Sequence, residues 1–235
     1  MRRTITSTEQ SGGRPLTARN SEIDTKTRLL DAAERLFSDR GFEAVSHRDI
    51  AVAAAVNLAA VNYHFGSKDR FIRAVIKRRV DSINARRLAA LATAERQLAN
   101  APVPTDKILD AFFIPAVQDS NGGFQEFLWI GSSANPYRDY FISLMAPVLD
   151  RFAGALRRSL PDRSDEDCKC YIYFSLAILA FMPAGPRRLS GFSSSLMRHE
   201  DASTIARRAI QFVRMGLHGQ AEPDPPVPRF PCAPN

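Results

Sequence analysis

The chain has 235 residues, 45% of them hydrophobic, and its formal charge of +7 lies wholly in the first 90, where 17 Lys+Arg face 10 Asp+Glu against 15 and 15 in the remainder. That length suits one large or two modest domains with a full core, and a basic front joined to a neutral back is the footprint of a nucleic-acid-facing unit with a second unit behind it. No apolar run is long enough to span a bilayer, MRRTITSTEQSGGRP lacks the apolar stretch of a signal peptide, and Cys168, Cys170 and Cys232 neither pair fully nor show zinc spacing, so a reducing cytoplasm is expected and a membrane partner is not.

Residues 1–20 are polar and rich in Gly, Ser, Thr and Arg, and are expected to form a disordered arm. A helix is predicted from about Asp24 to Arg40, with Leu29, Leu30, Ala33, Leu36 and Phe37 at helical spacing and Gly41 as its stop. Two short helices follow. Ser46 and Asp49 are placed to make a capping box for the first. Ala55-Val56 makes the turn, and Asn57 caps the second, about Leu58 to Phe65. That second helix carries almost no bulky residue before Tyr63, so it can approach another surface closely. A helix-turn-helix unit uses such a helix to enter the DNA major groove.

Ser67 caps a long helix running to about Ala99, with Phe71, Ile72, Val75, Ile76 and Val80 apolar, and Pro102 and Pro104 ending it. Further helices are predicted over residues 105–118, 124–133, 136–160, 165–182 and 201–217. Ser164 caps the fourth of these, and Asp165, Glu166 and Asp167 suit its first turn. The tail from Gly219 is proline-rich and expected to be disordered. No alternating strand pattern and no internal repeat is present. The expectation is an all-α chain: an N-terminal three-helix helix-turn-helix DNA-binding domain over 21–68, then a C-terminal helical ligand-binding and dimerisation domain over 69–218, with a tail over 219–235.

Phosphate contacts fix register and supply affinity. They are assigned to Ser46 and Arg48 at the start of the first short helix, to the Tyr63 hydroxyl and to Lys68. Base contacts fall on the second short helix: Asn62 can read adenine with two hydrogen bonds, and Leu58, Ala59 and Ala60 can pack on thymine methyls. His64 reaches a base or a phosphate, or is a satisfied surface histidine. Asn57 is a cap or a base reader, and Tyr63 has a core aromatic as its alternative.

Catalytic readings find little support. Ser132 and Ser133 lie in GSSA, outside a nucleophile elbow. Cys168 and Cys170, two apart on a helix, point to different faces and cannot chelate one metal. His199 and His218 lack ligand partners at suitable spacing, and no phosphate-cradling glycine loop occurs. No enzyme activity, cofactor or metal is expected.

The segment from Asp24 to about Ile76 resembles the TetR/AcrR family of transcriptional regulators. The likeness is carried by Leu36-Phe37 with Gly41-Phe42, by Ile50-Ala51, by the turn Ala54-Ala55-Val56-Asn57, and by Tyr63-His64-Phe65-Gly66-Ser67-Lys68-Asp69. The wording NLAAVNYHFGSK looks closest to a CerR/YbiH-like subgroup, whose C-terminal half ends in a segment like Arg207-Arg208-Ala209-Ile210-Gln211-Phe212. Two residues depart from the pattern. Asn57 replaces a serine and caps as well; Ala55 replaces a glycine, so the turn either avoids positive φ or carries strain.

The resemblance implies a dimeric repressor on a palindromic double-stranded DNA operator, released by a small-molecule effector. A ligand-independent DNA-binding protein or activator is the alternative. It places the dimer interface on helices near 164–182 and 201–217, in keeping with the two recognition helices that a palindrome requires. It also makes the aromatic-rich C-terminal half the place for an effector pocket, with Phe112, Phe127, Trp129 and Tyr140 as candidate lining. The competing reading of those aromatics is a packed helical core.

Overall fold

A computed structural model describes residues 16–40, 44–99, 101–118, 130, 135–181 and 202–219. Eight α-helices and no strands occur among them. They are α1 (Leu16–Arg40), α2 (His47–Ala53), α3 (Leu58–Phe65), α4 (Lys68–Gln97), α5 (Thr105–Val117), α6 (Arg138–Ser159), α7 (Asp165–Phe181) and α8 (Ala202–His218). The all-helical expectation holds. Of the predicted 124–133 helix, only Ile130 lies within the described residues, and it is buried. The arm before Leu16 and the tail after Gly219 also lie outside them.

α1 starts at Leu16 rather than near Asp24, so residues 16–20 belong to a helix and not to the expected arm. Between Pro15 and Asp24 no glycine or proline interrupts the run, and polar composition alone does not prevent a helix.

The chain divides by its internal contacts into 1–79 and 80–235, inside α4 rather than at its start. The apolar stripe of α4 explains why. Phe71, Ile72, Val75 and Ile76 are buried in the first unit with Leu29, Ala33 and Phe37 of α1, Ile50 and Ala51 of α2, and Val61 and Phe65 of α3. An ion-pair cluster seals the edge of this core. Glu34 accepts from Arg78 Nε at 2.6 Å and lies 3.6 Å from Arg79, while Arg78 also reaches Asp31 at 2.6 Å.

In the second unit the stripe continues as Val80, Ile83, Asn84, Arg87 and Leu91, all buried. Two of these are polar, and both meet proline-interrupted helices. Pro115 lies inside α5 and Pro147 inside α6, and lacking an N–H they leave the carbonyls four residues back, of Ala111 and Ser143, without their helical donors. On the next carbonyls along, Arg87 Nε donates to Phe112 O at 2.9 Å and Asn84 Nδ2 donates to Leu144 O at 3.3 Å. α7 and α8 pack on each other, the Tyr171 hydroxyl donating to Gly216 O at 3.0 Å. Ser164 and Asp167 form a reciprocal cap for α7. Cys168 is buried and Cys170 exposed on that helix, the different faces required by their spacing.

Candidate nucleic-acid interface

The first unit builds its site on two short helices fixed at both ends. Ser46 caps α2. Its hydroxyl accepts from Asp49 N at 3.2 Å, and the Asp49 carboxylate accepts from Ser46 N at 2.9 Å, the reciprocal box expected from the spacing. The bonds from Ser46 hold the Asp49 carboxyl below its ordinary range. Asn57 caps α3, its Oδ1 accepting from Ala59 N at 3.0 Å. That oxygen is spent on the cap, so a DNA contact from Asn57 falls to its NH2 group.

The turn between the helices holds the strained alternative. Ala55 sits at φ 52, in the left-handed region where a Cβ costs energy. Its backbone is fully engaged: Ala55 N donates to Val52 O and Val56 N to Ala51 O, both at 3.0 Å. Arg28 of α1 donates to Ala55 O at 3.1 Å and pairs with Asp24 at 3.7 Å. Gly66 at φ 76 ends α3, where glycine is free to adopt that geometry.

α3 turns Val61 and Phe65 inward, at 1% and 8% exposure. Leu58, Ala59, Asn62 and Tyr63 then share the outward face and are exposed, while Ala60 and His64 flank it half-buried. Ser46, Arg48, Asn57 and Lys68 are exposed as well. Tyr63 is 64% exposed, which removes its core reading, and its ring meets His64 edge-on at 5.1 Å. Phe65 is the core aromatic, edge-on to Phe71 at 4.7 Å. The ten residues singled out for DNA thus sit on α2, α3, their caps and the first residue of α4.

His47, next to the α2 cap, was missed from the sequence. Its Nε2 is buried with no hydrogen-bond partner, and its ring is edge-on to Phe71 at 5.4 Å. Burial, with Lys68 adding repulsion, lowers its pKa below the ordinary 6.5. A histidine directly after an N-cap carries no sequence signal of burial.

In the second unit Phe112 is fully buried, edge-on to Phe113 and Phe152, and the Arg87 guanidinium lies 4.2 Å over its ring. Tyr140 is half-buried in the first turn of α6. Phe127 and Trp129 lie outside the described residues. A cleft of about 660 Å³ opens elsewhere, lined by Glu95, Pro102, Val103, Arg151, Gly154 and Arg158 among others, and neither Phe112 nor Tyr140 lines it. Glu95 holds this cleft together, accepting from Arg151 at 2.5 Å and Arg158 at 2.9 Å. Those bonds, that from Arg151 foremost, hold its carboxyl below the ordinary range. α7 and α8 expose large apolar side chains: Tyr173 at 65%, Phe174 at 55%, Phe212 at 71% and Met215 at 67%. Among the described residues no cluster of His, Cys, Asp and Glu is suited to a metal ion, and no helix is long and apolar enough to cross a membrane.

Two family models match the chain. Residues 29–75 match that of bacterial regulatory proteins of the tetR family, and residues 111–216 match a tetracyclin repressor-like C-terminal domain. Curated relatives include the HTH-type transcriptional regulator UidR of Escherichia coli (strain K12), 38% identical over 52 residues, covering 22% of this chain and 26% of UidR. The HTH-type transcriptional repressor KstR2 of Rhodococcus jostii is 36% identical over 58 residues, covering 25% and 28%. The chain thus spans about a quarter of the length of the curated relatives it matches. Among solved structures, a TetR-like transcriptional regulator from Rhodococcus sp. RHA1 superposes with a TM-score of 0.58 at 20% identity, over 83% of this chain and 97% of its own. The TetR family regulator PfmR from Thermus thermophilus gives 0.57 at 23% identity, over 79% and 96%. None of these matches carries the CerR/YbiH-like subgroup.

Proposed function

Since the chain belongs to the TetR family of bacterial transcriptional regulators, we propose that it acts in the cytoplasm as a dimeric, sequence-specific repressor, released from a palindromic operator by a small-molecule effector. The observation that carries the DNA-binding part is the outward stripe of α3. Leu58, Ala59, Asn62 and Tyr63 stand exposed on a helix anchored from behind by Val61 and Phe65. The exposed Arg48 and Lys68 at neighbouring helix starts supply phosphate contacts, while Ser46, whose N–H and hydroxyl both donate to Asp49, holds the start of α2 in place for them. Asn62 and the small apolar residues then meet base edges, as their chemistry allows.

Dimerisation is supported by the exposed Tyr173, Phe174, Phe212 and Met215 on α7 and α8, an apolar load unusual for a free surface. A second copy covering it brings two recognition helices to half-sites about 34–36 Å apart, one turn of B-DNA. Because α4 contributes residues to both units, it is the covalent route by which effector occupancy biases DNA affinity. A 100-fold loss of affinity requires about 2.7 kcal/mol of coupling.

The test is binding of the purified protein to its own upstream DNA, measured against scrambled DNA of equal length across a salt series. Selective binding by a dimer, abolished by a compound found in a small-molecule screen, supports the reading. Equal affinity for both DNAs refutes it, and selective binding that no compound disturbs refutes its effector part.

A further inference from the structure

The second unit keeps a hydrogen-bond acceptor buried with nothing to accept. Asn84 is 6% exposed on the stripe of α4. Its amide orientation is settled by chemistry: the atom 3.3 Å from Leu144 O must be the nitrogen, because a carbonyl can only accept. The other atom is then Oδ1, and it is buried with no hydrogen-bond partner. Leaving such a group unmet costs its desolvation with no bond in return, which a leucine of similar size would avoid.

The surroundings favour a molecule over a packing fault. One turn further along α4 lies Arg87, fully buried, with its guanidinium 4.2 Å over the Phe112 ring. Desolvation, with Arg86 adding repulsion, draws its pKa down to about 9. Two costly polar groups therefore share one face of α4, and the second lies against the aromatic cluster of Phe112, Phe113 and Phe152. Both meet their partner helices where Pro115 and Pro147 have thinned the backbone ladder. Proline sites are where helices bend, and the carbonyl that Asn84 meets lies three residues before Pro147 of α6.

We propose that Asn84 Oδ1 is the polar recognition point for the effector, and that the effector is a small, largely apolar molecule presenting an O–H or N–H donor to it. This deepens the regulator reading above and rests on it. A site built around a buried acceptor rejects analogues that lack the donor, because the acceptor is then stranded.

The experiment uses p-cresol and p-xylene, which have the same shape and differ by a hydroxyl against a methyl. Binding of each to the full chain is measured by calorimetry. The expected result is at least tenfold tighter binding of p-cresol, falling to within twofold in Asn84→Leu. If that variant does not fold, Asn84→Met takes its place. Equal binding of the two probes, binding of neither, or a preference that survives the substitution overturns the proposal. So does a crystal structure grown with p-cresol in which an ordered water occupies Oδ1. Operator binding measured without any probe separates the two readings. A protein that binds its operator but treats both probes alike loses only the Asn84 assignment, whereas one that never binds an operator loses the regulator reading.

Discussion

Replacing Ala55 by glycine should make the DNA-facing unit more stable, although it removes a side chain and adds chain freedom. Ala55 holds φ 52, where an L-residue costs about 1–2 kcal/mol. Glycine escapes that cost but gives up about 0.5–1 kcal/mol of unfolded-chain entropy relative to alanine. Nothing else changes in the balance. The residue is exposed, so its methyl buries little, and the bonds to Val52 O, Ala51 O and from Arg28 all involve backbone atoms of the turn. The net gain is roughly 0.5–1 kcal/mol. Hydrogen exchange of the α2 and α3 amides in the full chain reads this as about two- to fivefold greater protection. Ala54→Gly is the control. Ala54 is buried at φ −83, so glycine there loses both packing and chain order and should lower protection by about 1–2 kcal/mol. If Ala55→Gly lowers protection as Ala54→Gly does, the turn is not strained as argued.

Lys68→Ala and Tyr63→Phe should each weaken DNA binding by roughly 1 kcal/mol whatever the sequence, with Lys68→Ala also lowering the slope of log affinity against log salt by about one; a loss confined to particular base pairs refutes the phosphate role. Asn62→Ala should reduce discrimination at one position per half-site by about 1–3 kcal/mol and leave non-specific binding nearly unchanged, and an unaltered base preference in a selection from random operators counts against it. His47 has a lowered pKa, so below 6.5 the unfolded chain takes up a proton that the folded unit resists, and stability, complete above that pH, should decline as pH falls through and below 6.5; His47→Gln should flatten this part of the profile, and an unchanged slope rules His47 out. Phe212→Arg, placing a charge on an exposed apolar face of α8, should shift the protein towards monomer in sedimentation and weaken operator binding; a dimer of unchanged strength moves the interface elsewhere.

Much of the first unit was legible because its determinants are local. Ser46 with Asp49, Asn57 and Ser67 mark helix starts within three residues of the groups they serve. The inward pair Val61 and Phe65 left only one face of α3 to point outward. Contacts between residues far apart in sequence were not legible. Arg28 reaches Ala55 across 27 positions, and Arg78 reaches Glu34 across 44, with no spacing rule to announce either. Composition likewise could not tell a packed aromatic from a pocket wall. Phe112 is packed against Phe113 and Phe152, while the cleft opened at Glu95, Arg151 and Arg158, charged residues that no motif singles out. The two prolines were visible, but not that side chains of α4 would answer the carbonyls beside the ones they free.

The division inside α4 sets a rule for anyone grafting this helix-turn-helix head onto another domain. A cut at Ser67, where the recognition motif ends in sequence, would leave Phe71, Ile72, Val75 and Ile76 with the donor and strip the head of a wall of its core. It would also abandon Glu34, only 8% exposed, without the two arginines beside it, and an isolated buried carboxylate is severely destabilising. The transplantable module therefore carries α4 through Arg79, and the splice has to be made mid-helix. A chimaera joined there must keep the helical phase, since each residue inserted or deleted turns everything downstream by about 100°.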